Sequence, residues 1–388
     1  MPLKIGILAA HLAFAAQFLA ITSSFGGDWT AFFSTGSVLP VPRSLAEALY
    51  VFPDTLGYDG QYYHYMAHDP LIRGGLREFI DTPRLRYRRI LVSGLAWLVS
   101  GGAPRGIHIA LVLVNLAFTA LGAYWLSRYA LVKGWPPAWG LAFLLLPAVA
   151  IGLDRLTVDL ALAALCVAFA LYVETEERIK LYTVLVVAGL ARESGLLLIA
   201  ACGLALARRR QWKAAALLAA SAAPALAWYS YVHLHTPEYH APPGVGPAWL
   251  PLSVPGFALL GRFLEPFRYT ERAPLIAATA LTLDYLSLAG AVAALVLAVK
   301  SAARREAGPL DLAALLYAAL AMASGTIMGW ADPFGYPRIL SPLVLFLALL
   351  GLSARSPALL VPWILMLPRV WLQLGPRAVS LARWLSIS

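Results

Sequence analysis

The sequence predicts an all-α fold, a polytopic transmembrane helical bundle, and three observations support this prediction. The composition is 60% hydrophobic and only 13% charged over 388 residues, with a mean hydropathy of +0.72, which is outside the usual range for soluble domains. The apolar runs are long, and they do not alternate as the strands of a membrane barrel do. Backbone groups find no partners in hydrocarbon, so such runs must form helices. We therefore expect a single membrane domain over residues 1–388.

The elements follow in order along the chain. Residues 5–21 come after Lys4 and predict a first span that is retained as an anchor, because a poor cleavage site follows it. Residues 23–106 predict an external loop region with juxtamembrane helices, including a helix over 90–100 that is too short to span. Further spans are predicted over residues 107–126, 137–152, 156–173, 214–232, 275–299, 309–328, 339–353 and 357–373.

The apolar stretch 181–206 needs a separate interpretation. Arg192-Glu193-Ser194-Gly195 interrupts it, and basic residues flank both ends. Since basic residues in short loops mark the cytoplasmic side, both ends are expected to be cytoplasmic. The stretch is therefore predicted to form a helical hairpin whose charged turn points to the outer half of the bilayer.

The distribution of basic residues also predicts the orientation. An assignment with a cytoplasmic N-terminus places every lysine inside and leaves a large group of arginines outside. Arginine binds phosphate and carboxylate groups with a planar fork of donors. The arginine-rich external side and the net charge of +10 therefore agree with an anion site next to an anionic membrane surface.

A polar and aromatic segment, Gly57-Tyr58-Asp59-Gly60-Gln61-Tyr62-Tyr63, stands out in this apolar chain. It begins a short predicted helix that Pro70 would end. Ionisable groups at a membrane are costly, so each one is a functional candidate. Asp59 is the main candidate carboxylate, although it would also favour the positive end of a helix without any catalytic role. The tyrosines could equally form an aromatic belt.

Four other polar clusters accompany this segment. They are Asp28 after the first span, the run from Asp81 to Arg89, the group Asp154, Arg155 and Asp159, and the pair Arg192 and Glu193, to which the loop with Asp332, Tyr336 and Arg338 is a companion. The arginines of residues 84–89 could instead only bind lipid headgroups. The pairs at 154–155 and 192–193 could be structural ion pairs, and Asp332 with Arg338 could hold a loop together.

The sequence assigns no metal ligand. His64 and His68 are four residues apart on one helical face, but the sequence offers no obvious third ligand beside them. Cys166 and Cys202 lie inside apolar runs, where a thiol behaves as a small hydrophobic group. A divalent cation stays open as the one cofactor to consider.

The arrangement of these residues resembles the GT-C superfamily of membrane glycosyltransferases. It is most similar to bacterial members that use polyprenyl-phosphate sugars and carry a Tyr-Asp-Gly-Gln motif. The sequence likeness covers residues 57–91, where the motif is followed by an alanine, a proline and then Arg-Tyr-Arg-Arg before a short apolar helix. Weaker similarities occur at residues 154–159, 192–193 and 332–338, and the likeness in topology covers most of the chain.

The resemblance implies an inverting transfer of a sugar from a polyprenyl-phosphate donor to a glycan, lipid or protein acceptor. Asp59 occupies the position of the catalytic carboxylate, with Asp28 as its rival. Donor phosphate binding is expected from Arg86, Arg88, Arg89, Arg192 and Arg338, and substrate binding from Tyr58, Gln61, Tyr62, His64, Asp154, Glu193 and Tyr336. The implied location is the inner membrane of a bacterium, with an extracytoplasmic active site, membrane lipids as neighbours and no nucleic-acid partner.

Two other functions compete with this expectation. A transporter or flippase for a lipid or small solute also places charges within a helical bundle. Transporters tend to show internal repeats and broken helices in both halves, whereas the polar residues here gather in one external region. A non-catalytic membrane scaffold would leave Asp59 and the arginines without a shared pocket.

Overall fold

A computed structural model describes residues 1–236, 254–269, 272–325, 330 and 332–387, and in this part of the chain it confirms the all-α prediction. The α-helices, numbered α1 to α18 in chain order, are Pro2–Ser24, Arg43–Ala46, Asp59–His68, Pro83–Arg86, Ile90–Val99, Pro104–Val132, Pro147–Arg155, Asp159–Glu174, Arg178–Ala191, Leu196–Arg208, Trp212–Ala219, Ala223–His235, Phe257–Leu264, Pro274–Ala302, Pro309–Ala323, Gly335–Ala354, Val361–Leu372 and Gly375–Ile387. Short 3-10 helices are Trp29–Phe33, Leu76–Phe79, Pro137–Leu145, Glu193–Gly195, Ala220–Ala222 and Pro357–Leu360.

Five helices in the described ranges are long and apolar enough to cross a membrane. They are α1, α6, the continuous run Trp212–His235, α14 and α16. Two bent pairs, Pro137–Leu145 with Pro147–Arg155 and Pro357–Leu372 with Gly375–Ser386, raise the number to as many as seven if each pair is one span. The chain is therefore a membrane-embedded helical protein. The last residues of the predicted span 309–328 lie outside the described residues, and α15 ends at Ala323.

The centre of the bundle is α8, which packs against α6, α9 and α16. Every residue from Asp159 to Tyr172 is buried, and many of them are alanines. Small side chains let helix backbones approach closely, which is the usual way that helices associate in a membrane. The aromatic rings of Phe169 and Phe346 meet edge to face at 5.8 Å and fix α8 against α16. Asp159 begins α8, and Arg338 lies in the first turn of α16. The packing of the two helices therefore brings Asp159 and Arg338 close together.

The interruption predicted within residues 181–206 is present, because the stretch forms two helices, α9 and α10, separated by the 3-10 turn Glu193–Gly195. Arg192 is extended, with φ −161° and ψ 147°, and so ends α9. A Cβ on Gly195 would lie 2.1 Å from the carbonyl oxygen of Ala188, so only glycine fits this turn. The tight turn holds the Arg192 and Glu193 side chains at one end of the bundle.

The 23–106 region contains one feature that the all-α prediction did not include. Two-residue strands, β1 (Thr35–Gly36) and β2 (Val51–Phe52), pair in parallel, with Thr35 opposite Val51. The helical part of the prediction for this region is confirmed, because α3 covers residues 59–68 and α5 covers 90–99. The small strand pair braces the loop that leads into α3.

Candidate functional site

The Gly-Tyr-Asp-Gly-Gln segment builds the turn that starts α3. Gly57 has a φ of +74°, which glycine adopts without strain. A Cβ on Gly60 would lie 2.2 Å from the carbonyl oxygen of Arg155, so a side chain is excluded there. The amide of Gln61 accepts a hydrogen bond from the Gly36 backbone N–H at 3.2 Å and donates one to the Leu56 carbonyl at 2.9 Å. These residues therefore fix the position of Asp59.

Asp59 lies between two arginines. Its Oδ1 is 3.0 Å from Nη1 of Arg86, and its Oδ2 is 2.8 Å from Nη1 of Arg338. The carboxylate is 17% exposed. Burial by itself raises the pKa of Asp59, but the arginines Arg86 and Arg338 outweigh burial and hold that pKa well below its usual range. Asp59 is therefore ionised at neutral pH.

Both of these arginines also contact a second carboxylate. Arg86 donates to Asp81 through Nε at 2.9 Å and Nη2 at 2.8 Å, a two-pronged arrangement. Nε of Arg338 is 3.3 Å from Oδ2 of Asp159, which is only 4% exposed. Arg338 thus joins the start of α3 to the start of α8.

The ion pairs continue into the turn between α9 and α10. Arg192 pairs with Asp159, and its Nε is 4.0 Å from Oε1 of Glu193. Arg89 donates to both oxygens of Glu193, at 2.9 and 2.6 Å, and to the hydroxyl of Tyr63 at 3.1 Å. The network therefore returns to α3, where Tyr63 lies one turn after Asp59.

Positive and negative groups alternate along this ion-pair network, which we define as Asp81, Arg86, Asp59, Arg338, Asp159, Arg192, Glu193 and Arg89. Four arginines face four carboxylates, so its formal charge is zero. A balanced arrangement of this kind is what burial beside a membrane requires, because an unpaired buried charge is costly.

A cavity of about 350 Å³ opens against one side of this network. Its polar lining residues are Arg88, Arg89, Arg192, Arg338, Asp159 and Glu193. Its lining also includes the apolar side chains of Leu85, Leu162, Leu196, Leu197, Leu320 and Ile339. Asp59 is not among the lining residues and lies behind Arg338.

Arg88 differs from the other arginines of the cavity. Its guanidinium lies 5.5 Å from the ring centroid of Tyr229, and its buried Nε has no hydrogen-bond partner. Among the described residues it pairs with no carboxylate. Since the network is neutral, Arg88 gives the cavity an uncompensated positive charge.

Of the predicted site residues, the structure brings one group together. Asp59, Arg86, Arg89, Arg192, Glu193 and Arg338 belong to the network, and Arg88 lines the cavity beside it. Two tyrosines contact the arginines through their rings. Arg155 and Arg338 lie over Tyr58 at 4.3 and 5.2 Å, and Arg86 lies over Tyr62 at 4.8 Å.

The structure places the other predicted residues elsewhere. Asp28 accepts hydrogen bonds from the backbone N–H and hydroxyl of Thr30 and caps the 29–33 helix. Gln61 braces the strand loop, as described above. Asp154 lies 3.4 Å from Arg377, at the end of a different, largely apolar cavity of about 500 Å³. The ring of Tyr336 stacks on Trp330.

His64 also lies apart from the cavity, in a cluster with two other histidines.

Sequence reasoning did not assign a site role to three residues that the structure places in prominent positions. Asp81 pairs with Arg86. Asp159 joins Arg192 to Arg338, and a carboxylate at the first position of an apolar helix was the available signal. His108 completes the histidine cluster from α6. No local pattern links His108 to α3, because the two elements meet only through tertiary packing.

The lowered pKa of Asp59 predicts a defined dependence of stability on pH. A depressed carboxyl pKa stabilises the fold fully above the unfolded value, 3.8, and this contribution declines as the pH falls through the folded value. We expect the wild-type protein to have a higher Tm than Asp59→Asn at pH 6, with a smaller difference at pH 3. Thermal unfolding of both proteins in the same detergent measures this difference. An unchanged gap at pH 3 would contradict the ion-pair role of Asp59.

Comparisons with known proteins add no relative: no family model, no curated protein and no solved structure gives a significant match to this chain.

Proposed function

We propose that this protein is an inverting glycosyltransferase that moves a sugar from a polyprenyl-phosphate donor to an acceptor at the external membrane face. One observation carries the proposal. Arg88, which has no carboxylate partner among the described residues, lines a cavity whose lining also includes many apolar side chains. A lipid-linked phosphate has the matching chemistry, with an anionic group beside a long hydrocarbon chain.

The charges of the cavity support a phosphate ligand. Arg88 contributes a positive charge that the neutral network does not compensate, and a phosphate would balance it. Arg338 and Arg192 line the same wall and carry further donors. Arginine forks hold phosphate oxygens through paired hydrogen bonds, and these also stabilise the charge that develops on a departing phosphate.

The apolar wall supports a prenyl chain. Leu162 comes from α8, Leu196 and Leu197 from α10, Leu320 from α15 and Ile339 from α16. A hydrocarbon chain against these side chains would remove apolar surface from water on both partners. The cavity would then hold the phosphate near the arginines and direct the lipid along the helices.

The proposed reaction is a single displacement at the anomeric carbon. The acceptor hydroxyl oxygen forms a bond to that carbon, and the bond from the carbon to the phosphate oxygen breaks. The bonding electrons leave with the polyprenyl phosphate, and the hydroxyl proton passes to a carboxylate. The configuration of the sugar inverts because attack and departure occur on opposite faces.

We assign Asp59 as the carboxylate that accepts the proton of the acceptor hydroxyl. Both of its oxygens are occupied, and a carboxylate of such low pKa is a weak base. A donor phosphate that attracts Arg338 would free Oδ2 and raise the basicity of Asp59. The group would therefore become active only when the donor is bound, with Arg86 still holding Oδ1.

A transporter or flippase for lipids is the second candidate, and one observation favours it. The two bent helix pairs, over 137–155 and 357–386, lie in opposite halves of the chain, as broken helices do in many transporters. A transporter moves its substrate without changing a covalent bond. Product analysis therefore separates the two functions.

The experiment that tests the proposal uses the purified protein with a panel of radiolabelled polyprenyl-phosphate sugars. The expected result is release of polyprenyl phosphate, either with transfer of the sugar or with slow hydrolysis in the absence of acceptor. Proteoliposomes with the same donors measure movement between leaflets. Movement of intact donor with no cleavage of any panel member would contradict the enzyme and support the transporter.

Arg88→Ala should weaken binding of a polyprenyl phosphate by roughly 10- to 100-fold, which corresponds to loss of a hydrogen-bonded charge contact. Arg84→Ala is a matched control from the same segment, because Arg84 donates to the carbonyl of Thr236 at 3.1 Å and does not line the cavity. Fluorescence or calorimetric titration with polyprenyl phosphate in detergent measures both affinities. Equal affinities in the two variants would remove Arg88 from the phosphate site.

A further inference from the structure

Three histidines meet on the side of α3 away from the arginines. His64 and His68 are four residues apart on one face of α3, and His108 lies near the start of α6. One ring nitrogen from each of the three lies within 4.8 Å of the others. His64 is fully buried, while His68 and His108 are partly exposed. The cluster therefore lies where α3 packs against a membrane-spanning helix.

The rings are arranged so that two nitrogens already point at each other. The Nε2 atoms of His64 and His68 are 3.1 Å apart. In a tetrahedral site with metal–nitrogen distances of about 2.0–2.1 Å, ligand atoms are separated by about 3.4 Å. The pair therefore needs little movement to share one ion, and His108 needs a shift of about one ångström toward it.

One of the two ring nitrogens of His64 is not satisfied by the protein. Its Nδ1 is buried and has no hydrogen-bond partner. Nearly all buried polar atoms in native structures have a partner, so the protein alone does not satisfy this imidazole, whose Nε2 contacts only the neighbouring ring of His68. Phe33 stacks on His64 with ring centroids 4.1 Å apart and holds the imidazole in its plane. The ring is thus fixed in orientation before any ion binds.

The chemistry of the donor set selects the class of ion. Imidazole nitrogen suits zinc, copper, iron and nickel, whereas magnesium and calcium prefer oxygen ligands. A set of three nitrogens leaves one tetrahedral position open. The Asp28 carboxylate is within electrostatic range of His108 and adds negative charge beside the cluster.

We propose that His64, His68 and His108 bind one divalent transition-metal ion of the zinc class. The ion would join α3 to α6 and so fix the helix that carries Asp59 and Tyr63. This inference does not depend on the proposed sugar transfer, since the three histidines are outside both the ion-pair network and the cavity lining.

The test uses the full chain purified through a tag without histidine, stripped with a chelator and then equilibrated with Zn²⁺. Elemental analysis should find one zinc ion per chain. Co²⁺ in place of Zn²⁺ should give the intense visible absorption of a four-coordinate site, and excess Ca²⁺ should not displace it. His68→Gln and His108→Gln should each weaken Zn²⁺ binding at least about 100-fold, since loss of even an outer-shell partner costs 10- to 100-fold.

His11→Gln and His233→Gln are matched controls, because both of these histidines are exposed and neither belongs to the cluster. Both control variants should bind zinc as the wild type does. Wild-type zinc affinity in the His68 and His108 variants would overturn the proposal. If those variants do not fold, the wild-type Co²⁺ spectrum decides, and the absence of four-coordinate absorption bands would equally overturn it.

Discussion

Asp59→Asn should reduce sugar transfer at least about 100-fold, the lower range for loss of a general base. The substitution keeps the shape of the side chain but removes its charge and its ability to accept a proton. The fold should survive, because each arginine retains a second carboxylate, Asp81 for Arg86 and Asp159 for Arg338. Initial rates with a cleavable donor, measured beside donor affinity, separate loss of catalysis from loss of binding.

Asp28→Asn is the control for this prediction. Asp28 caps a 3-10 helix through Thr30, so its replacement should lower stability by about 1 kcal/mol or less and leave transfer intact. The reverse result, an active Asp59→Asn protein and an inactive Asp28→Asn protein, would assign the base to Asp28. Wild-type rates of transfer in both variants would contradict the assignment of a base to either carboxylate.

Arg338→Met should be the most destabilising single change in the network, with a loss of about 3–5 kcal/mol. Methionine fills similar space, but Asp59 and Asp159 would each lose a partner, and Asp159 is only 4% exposed. The same change removes an arginine from the cavity, so donor binding should also fall. Thermal unfolding in detergent measures the first effect, and titration with polyprenyl phosphate measures the second.

Arg369→Met provides a matched control for Arg338→Met. Arg369 is also buried and pairs with Asp284, but it does not line the cavity. The Arg369→Met substitution should therefore lower the Tm without weakening donor binding in the fraction of protein that remains folded. The double variant Arg338→Met/Asp159→Asn should recover part of the lost stability, because it restores equal numbers of carboxylates and arginines in the ion-pair network. No recovery would indicate that Asp159 does not depend on Arg338.

Much of the helical architecture could be predicted from the sequence, because hydrocarbon permits few structures for a long apolar run. The helix break at Arg192 was predictable from the sequence, since charged residues and a glycine interrupt an apolar segment there. The bends over 137–155 and 357–386 were not predicted. These bends depend on how each helix packs against its neighbours, and the hydropathy of a segment contains no information about that packing. The parallel pairing of Thr35 with Val51 was equally hidden, because two-residue strands leave no periodic pattern.

For the site, six of the eight residues in the ion-pair network were predicted from the sequence, but their pairing was not, and Asp28, Asp154 and Tyr336 were predicted beside them and lie elsewhere. Costly charges near a membrane predict that carboxylates and arginines find each other. The sequence does not indicate that Arg338 pairs with both Asp59 and Asp159, because the three residues come from different helices. Gln61 was predicted to bind substrate, but the structure gives it backbone partners. It belongs to the motif that carried the resemblance, yet its amide bonds the backbone of Gly36 and Leu56.

The position of Arg338 near the end of the chain has a consequence for biosynthesis. Asp59 and Asp159 leave the ribosome well before Arg338, and until α16 inserts they have only Arg86 and Arg192 as partners. In a nascent protein that stops short of α16, the ion-pair network therefore has four carboxylates but only three arginines. Insertion of α16 supplies the missing arginine and joins α16 to α3 and α8, so the network becomes neutral only after this late helix is in place.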